Sequence, residues 1–234
     1  MIFGRKRKAD EAAVDDVADE TTPPEEEPAA AADPLSEAER QAAEWDAAFD
    51  REEGPFDISE VDLDADDVTR LDFGALVVTP FEGMQLQLQV NRESNLVQAI
   101  LVGDGNSALE VAVFAAPGKS SMAPEIRADI IRQTQAQNGR VQIAEGPFGA
   151  ELRRVLPVTD AEGKQGMHVS RTWLVSGPGW MLRGVVMGRA TFEPDNEEAQ
   201  VALFEFFSNL VVRRGSAPAV PGSPLAMRVP EAGA

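Results

Sequence analysis

Strict alternation of apolar and polar residues marks strands in the middle of the chain. The segment MQLQLQV (84–90) places four apolar side chains on one face and three glutamines on the other, the pattern of a half-buried strand. We predict strands over 75–79, 84–90, 96–102, 109–115, 140–144, 150–158, 168–175 and 180–188. Most connections between them are short and rich in turn formers, so sequential strands should pair antiparallel.

Apolar residues at helical spacing predict three helices. The first is a short amphipathic helix over 36–51, opened by a capping-box pattern at Ser36 and Glu39. The second runs from about Ser121 to Asn138, and the third from about Asn196 to Arg213, with Gly215 ending it. Segregated strands and helices of this kind indicate an α+β domain with a mostly antiparallel sheet of about seven or eight strands packed with two helices.

The glycine-rich stretch SGPGW (176–180) could be either a ligand-binding loop or a turn between two strands. A phosphate-binding glycine loop leads from a strand into a helix N-terminus, whereas SGPGW lies between two predicted strands. GDGNS (103–107) lacks both the lysine and the following helix. We therefore interpret both stretches as hairpin turns and predict no nucleotide cofactor.

Charge divides the chain into two parts. The net charge is −19, of which residues 1–70, with 23 acidic and 7 basic side chains, contribute −16. We predict a disordered acidic arm with a basic RKRK tip over 1–34, a segment that docks on the domain over 35–70, the α+β domain over 71–215, and a disordered tail over 216–234. Because acidic chains are repelled by phosphate backbones, no nucleic-acid partner is predicted.

Cysteine is absent from the chain, which excludes disulfides and thiolate chemistry and fits a reducing compartment. No apolar stretch follows the basic tip as a signal peptide requires, and no run approaches a bilayer span. The sequence thus predicts a cytoplasmic protein without stable membrane insertion. Met1 to Phe3, ahead of RKRK, give at most marginal attachment to an anionic membrane surface.

Residues suited to catalysis or metal binding are sparse. His168 is the only histidine, and the sequence flags no nucleophile or carboxylate partner for it. The segment VDLDADDVTR (61–70) begins like a calcium loop, but Asp67 and Phe73 stand where that loop needs Gly and Glu. We predict no catalytic residues, no metal site and no cofactor, and interpret 61–70 as a solvated acidic connector.

Four residues are candidates for protein contacts. Trp45 and Phe49 form the apolar stripe of the first helix, which is too small to be stable alone, so this helix docks either on its own domain or on a partner. Trp180 and Arg183 lie in the hairpin that also carries Trp173. Either both tryptophans pack in the fold, or Trp180 and Arg183 belong to an exposed recognition surface.

Several spaced motifs resemble an uncharacterised actinobacterial family defined as a domain of unknown function. They are GPFDISEVD, RLDFGAL, RTWLVSGPGWMLRGVVMG and the closing LVVRRG, which together cover roughly residues 50 to 215. The family has no assigned activity, so the resemblance implies no site residues. The order of elements alone is similar to the Mog1/PsbP-like sandwich, whose members are typically binding or assembly factors.

The sequence favours a non-enzymatic binding or accessory protein that acts through contacts with an unidentified protein partner. The alternative is a small anionic-ligand binding protein, or an enzyme, with a pocket between sheet and helix. In that alternative Arg171, Arg183 or His168 would hold the anionic group. The sequence leaves the oligomeric state open.

Overall fold

The computed structural model describes residues 34–93, 96–192 and 197–230. The predicted acidic arm with its basic tip, over 1–34, lies almost wholly outside these residues. The described part contains the helices α1 (Pro34–Ala48), α2 (Ala123–Ala136) and α3 (Glu197–Ser208). Its strands are β1 (Phe56–Asp57), β2 (Leu71–Asp72), β3 (Leu76–Val78), β4 (Gln85–Val90), β5 (Val97–Gly103), β6 (Ser107–Ala115), β7 (Arg140–Gly146), β8 (Gly149–Thr159), β9 (Gln165–Gly177), β10 (Trp180–Gly188) and β11 (Val211–Val212).

Seven strands form one antiparallel sheet in the order β4-β5-β6-β10-β9-β8-β7. Hairpins link β4 to β6 and β7 to β10, as expected for sequential strands with short connections. SGPGW is one of these hairpin turns, since Gly177 pairs with Trp180 across it. The two halves of the sheet join where β6 pairs with β10, from Ala115 opposite Trp180 to Ser107 opposite Gly188. The predicted α+β class and antiparallel sheet are confirmed.

A second, smaller sheet has the order β1-β11-β3-β2, and its β1–β11 pair is parallel. The predicted third helix was wrong at its end, because α3 stops at Ser208 and the chain continues extended rather than helical to Arg213. Leu210 O accepts a hydrogen bond from Phe56 N at 2.9 Å, and Arg213 N donates to Ala75 O at 2.9 Å. The apolar residues that follow Ser208 are therefore buried by strand pairing with distant segments.

The main core lies between α3, the small sheet and one side of the large sheet. Strand alternation brings Trp173, Leu182 and Val113 to this side, where all three are buried. Gly184 lets α3 approach the sheet closely, because a Cβ at that position would lie 2.7 Å from the Phe207 ring. The packing interpretation of Trp173 as a core residue thus agrees with its position.

The C-terminal segment packs into the domain, so the prediction of a disordered tail over 216–234 was wrong for residues 216–230. Leu225 N donates to Val113 O at 2.9 Å, and Met227 exchanges backbone hydrogen bonds with Val97. Leu225 and Met227 are buried in the main core. The segment runs between the start of β5 and the end of β6, where it fills the space between these strands. Residues 231–234 lie outside the described part.

Helix α1 docks on its own domain rather than standing apart. It contacts β7 and β8, and Asp46 Oδ1 accepts a hydrogen bond from Ala150 N at 2.9 Å. The Asp46 carboxylate also pairs with the buried Arg127 of α2 at 2.6 Å. Just after the helix, the Phe49 ring packs edge-on against Phe148 at 5.8 Å between centroids. These contacts place α1 on its own domain, which is the first of the two alternatives considered from the sequence.

Candidate functional site

The two sides of the large sheet are covered unequally. On the side opposite the main core, α2 contacts β7, β8 and β9, and Leu174 and Met181 form a small cluster with Ala123 there. The sheet beyond this cluster, across β4, β5 and the adjoining parts of β6 and β10, carries exposed and half-buried side chains. We call this surface the open face and define it by Gln85, Gln87, Gln89, Leu101, Ala108, Glu110, Arg183, Val185 and Met187.

A groove of about 250 Å³ occupies one end of the open face. Leu101, Ala108 and Met187 form its apolar floor, while Gln85 and Gln87 of β4 flank it. The β5–β6 hairpin closes one end, and its turn is held by Asp104 Oδ1, which accepts hydrogen bonds from Asn106 N and Ser107 N. Strand alternation sets this arrangement, since Gln87 is opposite Leu101, and Met187 is opposite Ala108.

A chain of polar contacts crosses the other end of the open face. Gln89 Nε2 donates to Glu110 Oε2 at 2.7 Å, and Arg183 Nη2 donates to Glu110 Oε1 at 3.3 Å. The Arg183 guanidinium also lies 5.3 Å from the centroid of the Phe114 ring. One third of the Arg183 side chain is exposed, so the residue is held in place and still presents a donor surface to solvent.

On the side of the sheet opposite the main core, strands β8 to β10 carry positive charge and buried polar atoms without hydrogen-bond partners. Burial lowers the pKa of Arg154, and the nearby positive charge of Arg183 lowers it further. Among the described residues, Ser170 Oγ, Thr172 Oγ1 and Arg183 Nε are buried without a hydrogen-bond partner. Strand pairing places Ser170 directly opposite Arg154, and Arg154 Nε donates to Thr134 Oγ1 at 3.0 Å.

Trp180 and Arg183 project from opposite sides of β10, because they are three residues apart on one strand. Trp180 is fully buried: its Nε1 donates to Asp57 Oδ2 at 2.7 Å, and the Arg51 guanidinium lies 5.3 Å from its ring centroid. The Trp180 side chain therefore holds β1, which carries Asp57, against the large sheet. It is not available to a partner. Of this predicted pair, only Arg183 lies on an accessible surface.

Trp45 and Phe49 lie at the opposite end of the sheet order from β4, where α1 contacts β7 and β8. Both side chains are half-buried. Phe49 belongs to the periphery of the main core. The four predicted contact residues are thus not brought together into one site.

The three residues of the anionic-ligand alternative are also separated. Arg171 faces the main core with 4 % of its side chain exposed and pairs with Glu151 at 2.9 Å. Arg183 points to the other side of the sheet, as does His168, which is half-buried opposite Leu156 near the far end of β9. Sequence reasoning did not select Glu110 or the β4 glutamines as site residues, although the alternation in β4 had already placed the glutamines on the solvent side of a half-buried strand.

The acidic segment 61–70 is organised by arginine. Arg70 donates to both carboxylate oxygens of Asp66 at 2.7 and 2.8 Å, and these bonds lower the pKa of Asp66 to about 2. Within the described residues, no group of three or more acidic or histidine side chains is arranged to hold a metal ion. Helices long and apolar enough to cross a membrane are likewise absent from that part of the chain.

The geometry defines an α+β domain with an open sheet surface. The model of the family described as "Protein of unknown function (DUF3710)" matches residues 54–234, and the chain belongs to this family. No curated protein sequence matches the chain. A solved structure with some likeness is the solution structure of cyanobacterial PsbP (CyanoP) from Synechocystis sp. PCC 6803. It is 8 % identical, with a TM-score of 0.34, over 62 % of this chain and 91 % of that chain.

Proposed function

We propose that this protein is a non-enzymatic binding module that contacts a protein partner through its open face. The observation that supports this most is an apolar groove, floored by Leu101 and Met187, on a sheet surface that α2 leaves uncovered. Protein interfaces typically combine an apolar centre with a polar rim. The glutamines of β4 and the Glu110–Arg183 pair supply such a rim.

Arg183 is the proposed central polar contact. Arginine is enriched among residues that dominate binding energy, particularly where it is held in place before binding. Here Glu110 and the Phe114 ring hold the guanidinium. Trp45, half-buried on α1, remains a separate proposed contact for the same or another partner.

A small anionic ligand is the second candidate, favoured by unpartnered donors on the same side of the sheet as Arg183. Arg154 and Arg183 are close enough to lower the pKa of Arg154. Ser170 Oγ, Thr172 Oγ1 and Arg183 Nε also have no hydrogen-bond partner among the described residues. An anion would compensate both the charge and the unused donors.

The test compares two matched pairs of substitutions in the full chain. Leu101→Asp with Met187→Asp alters the groove, whereas Val158→Asp with Met167→Asp alters exposed apolar residues at the β8–β9 hairpin. Affinity purification from the native host, with quantitative mass spectrometry, should recover a partner with the wild type and the hairpin variant. We expect at least a tenfold loss with the groove variant, since desolvating a carboxylate at an interface centre is costly. A partner retained by both variants would contradict the proposed surface.

The groove variant and an Arg183→Met variant separate the second candidate from the first. If the ligand is a small anion, a panel of anionic metabolites should raise the melting temperature of the wild type, because binding to the native state alone stabilises it. Arg183→Met should abolish that rise while the groove variant keeps it. No rise with any anion would remove the second candidate.

A further inference from the structure

Strand β4 forms one edge of the seven-stranded sheet, and within the described residues no strand pairs with its outer side. Natural edge strands are usually protected by charges, prolines, bulges or a covering element. The segment Gln85–Val90 contains no charged residue, proline or glycine, and its register against β5 shifts only at its end, between Gln89 and Val90. It therefore offers an uncovered row of backbone donors and acceptors.

The opposite edge of the same sheet shows how this protein protects a strand. Both α1 and α2 contact β7, and β7 carries the charged residues Arg140 and Glu145 on exposed positions. The two edges of one sheet thus differ in cover and in charge. Among the described residues, β4 is therefore the less protected edge of the sheet.

The sequence of β4 matches itself when reversed. Residues 85–89 read QLQLQ in both directions, so two copies paired antiparallel about Gln87 would place leucine opposite leucine and glutamine opposite glutamine. Leu86 would face Leu88 of the second copy on the core side, where both are only half-buried. Glutamine carries a donor and an acceptor, so it can pair with its own kind.

Apolar residues at the ends of the strand fit the same register. With Gln87 on the axis, Met84 faces Val90 of the second copy. The charged residues Glu82 and Arg92 lie in the turns that flank the strand, outside the paired segment. Residues 71–234 carry only −3 of the net charge of −19, so repulsion between the two domains is small.

We propose that two copies of this chain associate by antiparallel pairing of their β4 strands about a two-fold axis at Gln87. The two seven-stranded sheets then become one continuous sheet. Because glutamines face glutamines, both open faces lie on the same side of it. The proposal goes beyond the proposed function and does not depend on it, since it uses the backbone edge of β4, whereas the groove is lined by side chains, that of Gln87 among them.

The absence of cysteine makes a direct geometric test possible. A residue on the two-fold axis faces its own copy with Cβ atoms about 5 Å apart, close to disulfide distance. Full-length Gln87→Cys should therefore form a reducible covalent dimer on mild oxidation. Gln85→Cys is the matched control: it has the same exposed residue type, but its copies would lie roughly 13 Å apart, four strand residues away. Equal cross-linking of the two variants would overturn the register.

Sedimentation equilibrium on the full chain supplies the second measurement. The wild type should be dimeric, while Gln87→Lys and Gln87→Glu should each weaken dimerisation roughly tenfold or more, because like charges meet on the axis. An equimolar mixture of the two variants should restore a dimer, which a misfolded variant would not do. A monomeric wild type, or a mixture that stays monomeric, would refute the proposal whether or not the open face binds a partner.

Discussion

Glu151 illustrates how single buried residues organise the core side of the large sheet. Its carboxylate is 1 % exposed and accepts hydrogen bonds from Arg171, Arg153 and Trp173 Nε1 at 2.8 to 3.0 Å. Removing a carboxylate that neutralises a buried guanidinium leaves the remaining charge unpaired. Glu151 thus serves as an internal anchor that satisfies the polar groups of two neighbouring strands.

We predict that Glu151→Gln lowers the free energy of unfolding by about 3–5 kcal/mol, because Arg171 stays buried without its counter-charge. Urea unfolding at pH 7 measures the effect. Glu110→Gln is the control, since it also breaks a carboxylate–arginine pair but on a partly exposed surface. It should cost no more than about 1 kcal/mol. Equal losses for the two variants would contradict the anchoring role.

Asp57 is a second buried carboxylate, and it holds Trp180. Burial raises the pKa of Asp57, but hydrogen bonds from Ser59 and Trp180 and the charge of Arg51 lower it by more in sum. The pKa of folded Asp57 therefore lies below its ordinary value. A lowered pKa in the folded state contributes stability that is present above the unfolded pKa and is lost as the pH falls through the folded one.

We predict that Asp57→Asn lowers the free energy of unfolding by about 1–3 kcal/mol at pH 7, because an amide cannot accept all the bonds of the carboxylate. The difference from the wild type should hold down to about pH 4 and then shrink as Asp57 protonates. Urea unfolding at pH 7, 4 and 2.5 tests this. The exposed Asp67→Asn should change little at pH 7. A difference that grows below pH 4 would contradict the assignment.

At the scale of elements, the C-terminal segment behaves as part of the sheet although its sequence is rich in proline. Pro218, Pro221 and Pro224 interrupt any helical or strand periodicity, which favoured disorder as the interpretation. The segment is nevertheless held by backbone hydrogen bonds to β5 and β6. Leu225 and Met227 are buried in the core, and Ala219 packs against it half-buried.

We predict that Met227→Ala lowers the free energy of unfolding by about 2–5 kcal/mol, since it leaves a cavity at a position that is 1 % exposed. Val229→Ala, two residues further on and 62 % exposed, should change it by less than about 0.5 kcal/mol. Thermal or urea unfolding of the two variants measures both. Similar small effects would mean that the segment does not contribute to the core.

At the scale of the whole molecule, the sheet is built from two hairpin-connected halves that the chain makes separately. Residues 85–115 form one half and residues 140–188 the other, with α2 between them. The two halves are joined by the pairing of β6 with β10, which is as long as the pairing within the β9–β10 hairpin. The consequence is one continuous sheet whose two edges, β4 and β7, come from different halves.

The eight predicted strands and the three helices were largely determined by the sequence itself. Alternation in residues such as Gln85 to Val90, and turn formers such as Pro178 and Gly179, act on neighbouring residues, so their effect is visible locally. Membership in the family of unknown function was likewise predicted from spaced motifs and is confirmed over 54–234. The actinobacterial origin and the cytoplasmic location stay predictions.

Tertiary structure alone decided which local elements meet. The burial of Trp180 on Asp57, the strand at Val211 in place of a longer helix, and the ordered segment around Met227 all depend on hydrogen bonds between residues far apart in sequence. The open face also depends on them, because Glu110 and Arg183 adjoin only once β6 pairs with β10. Apolar spacing shows that a side chain will be buried, whereas the partner that buries it is set by long-range packing.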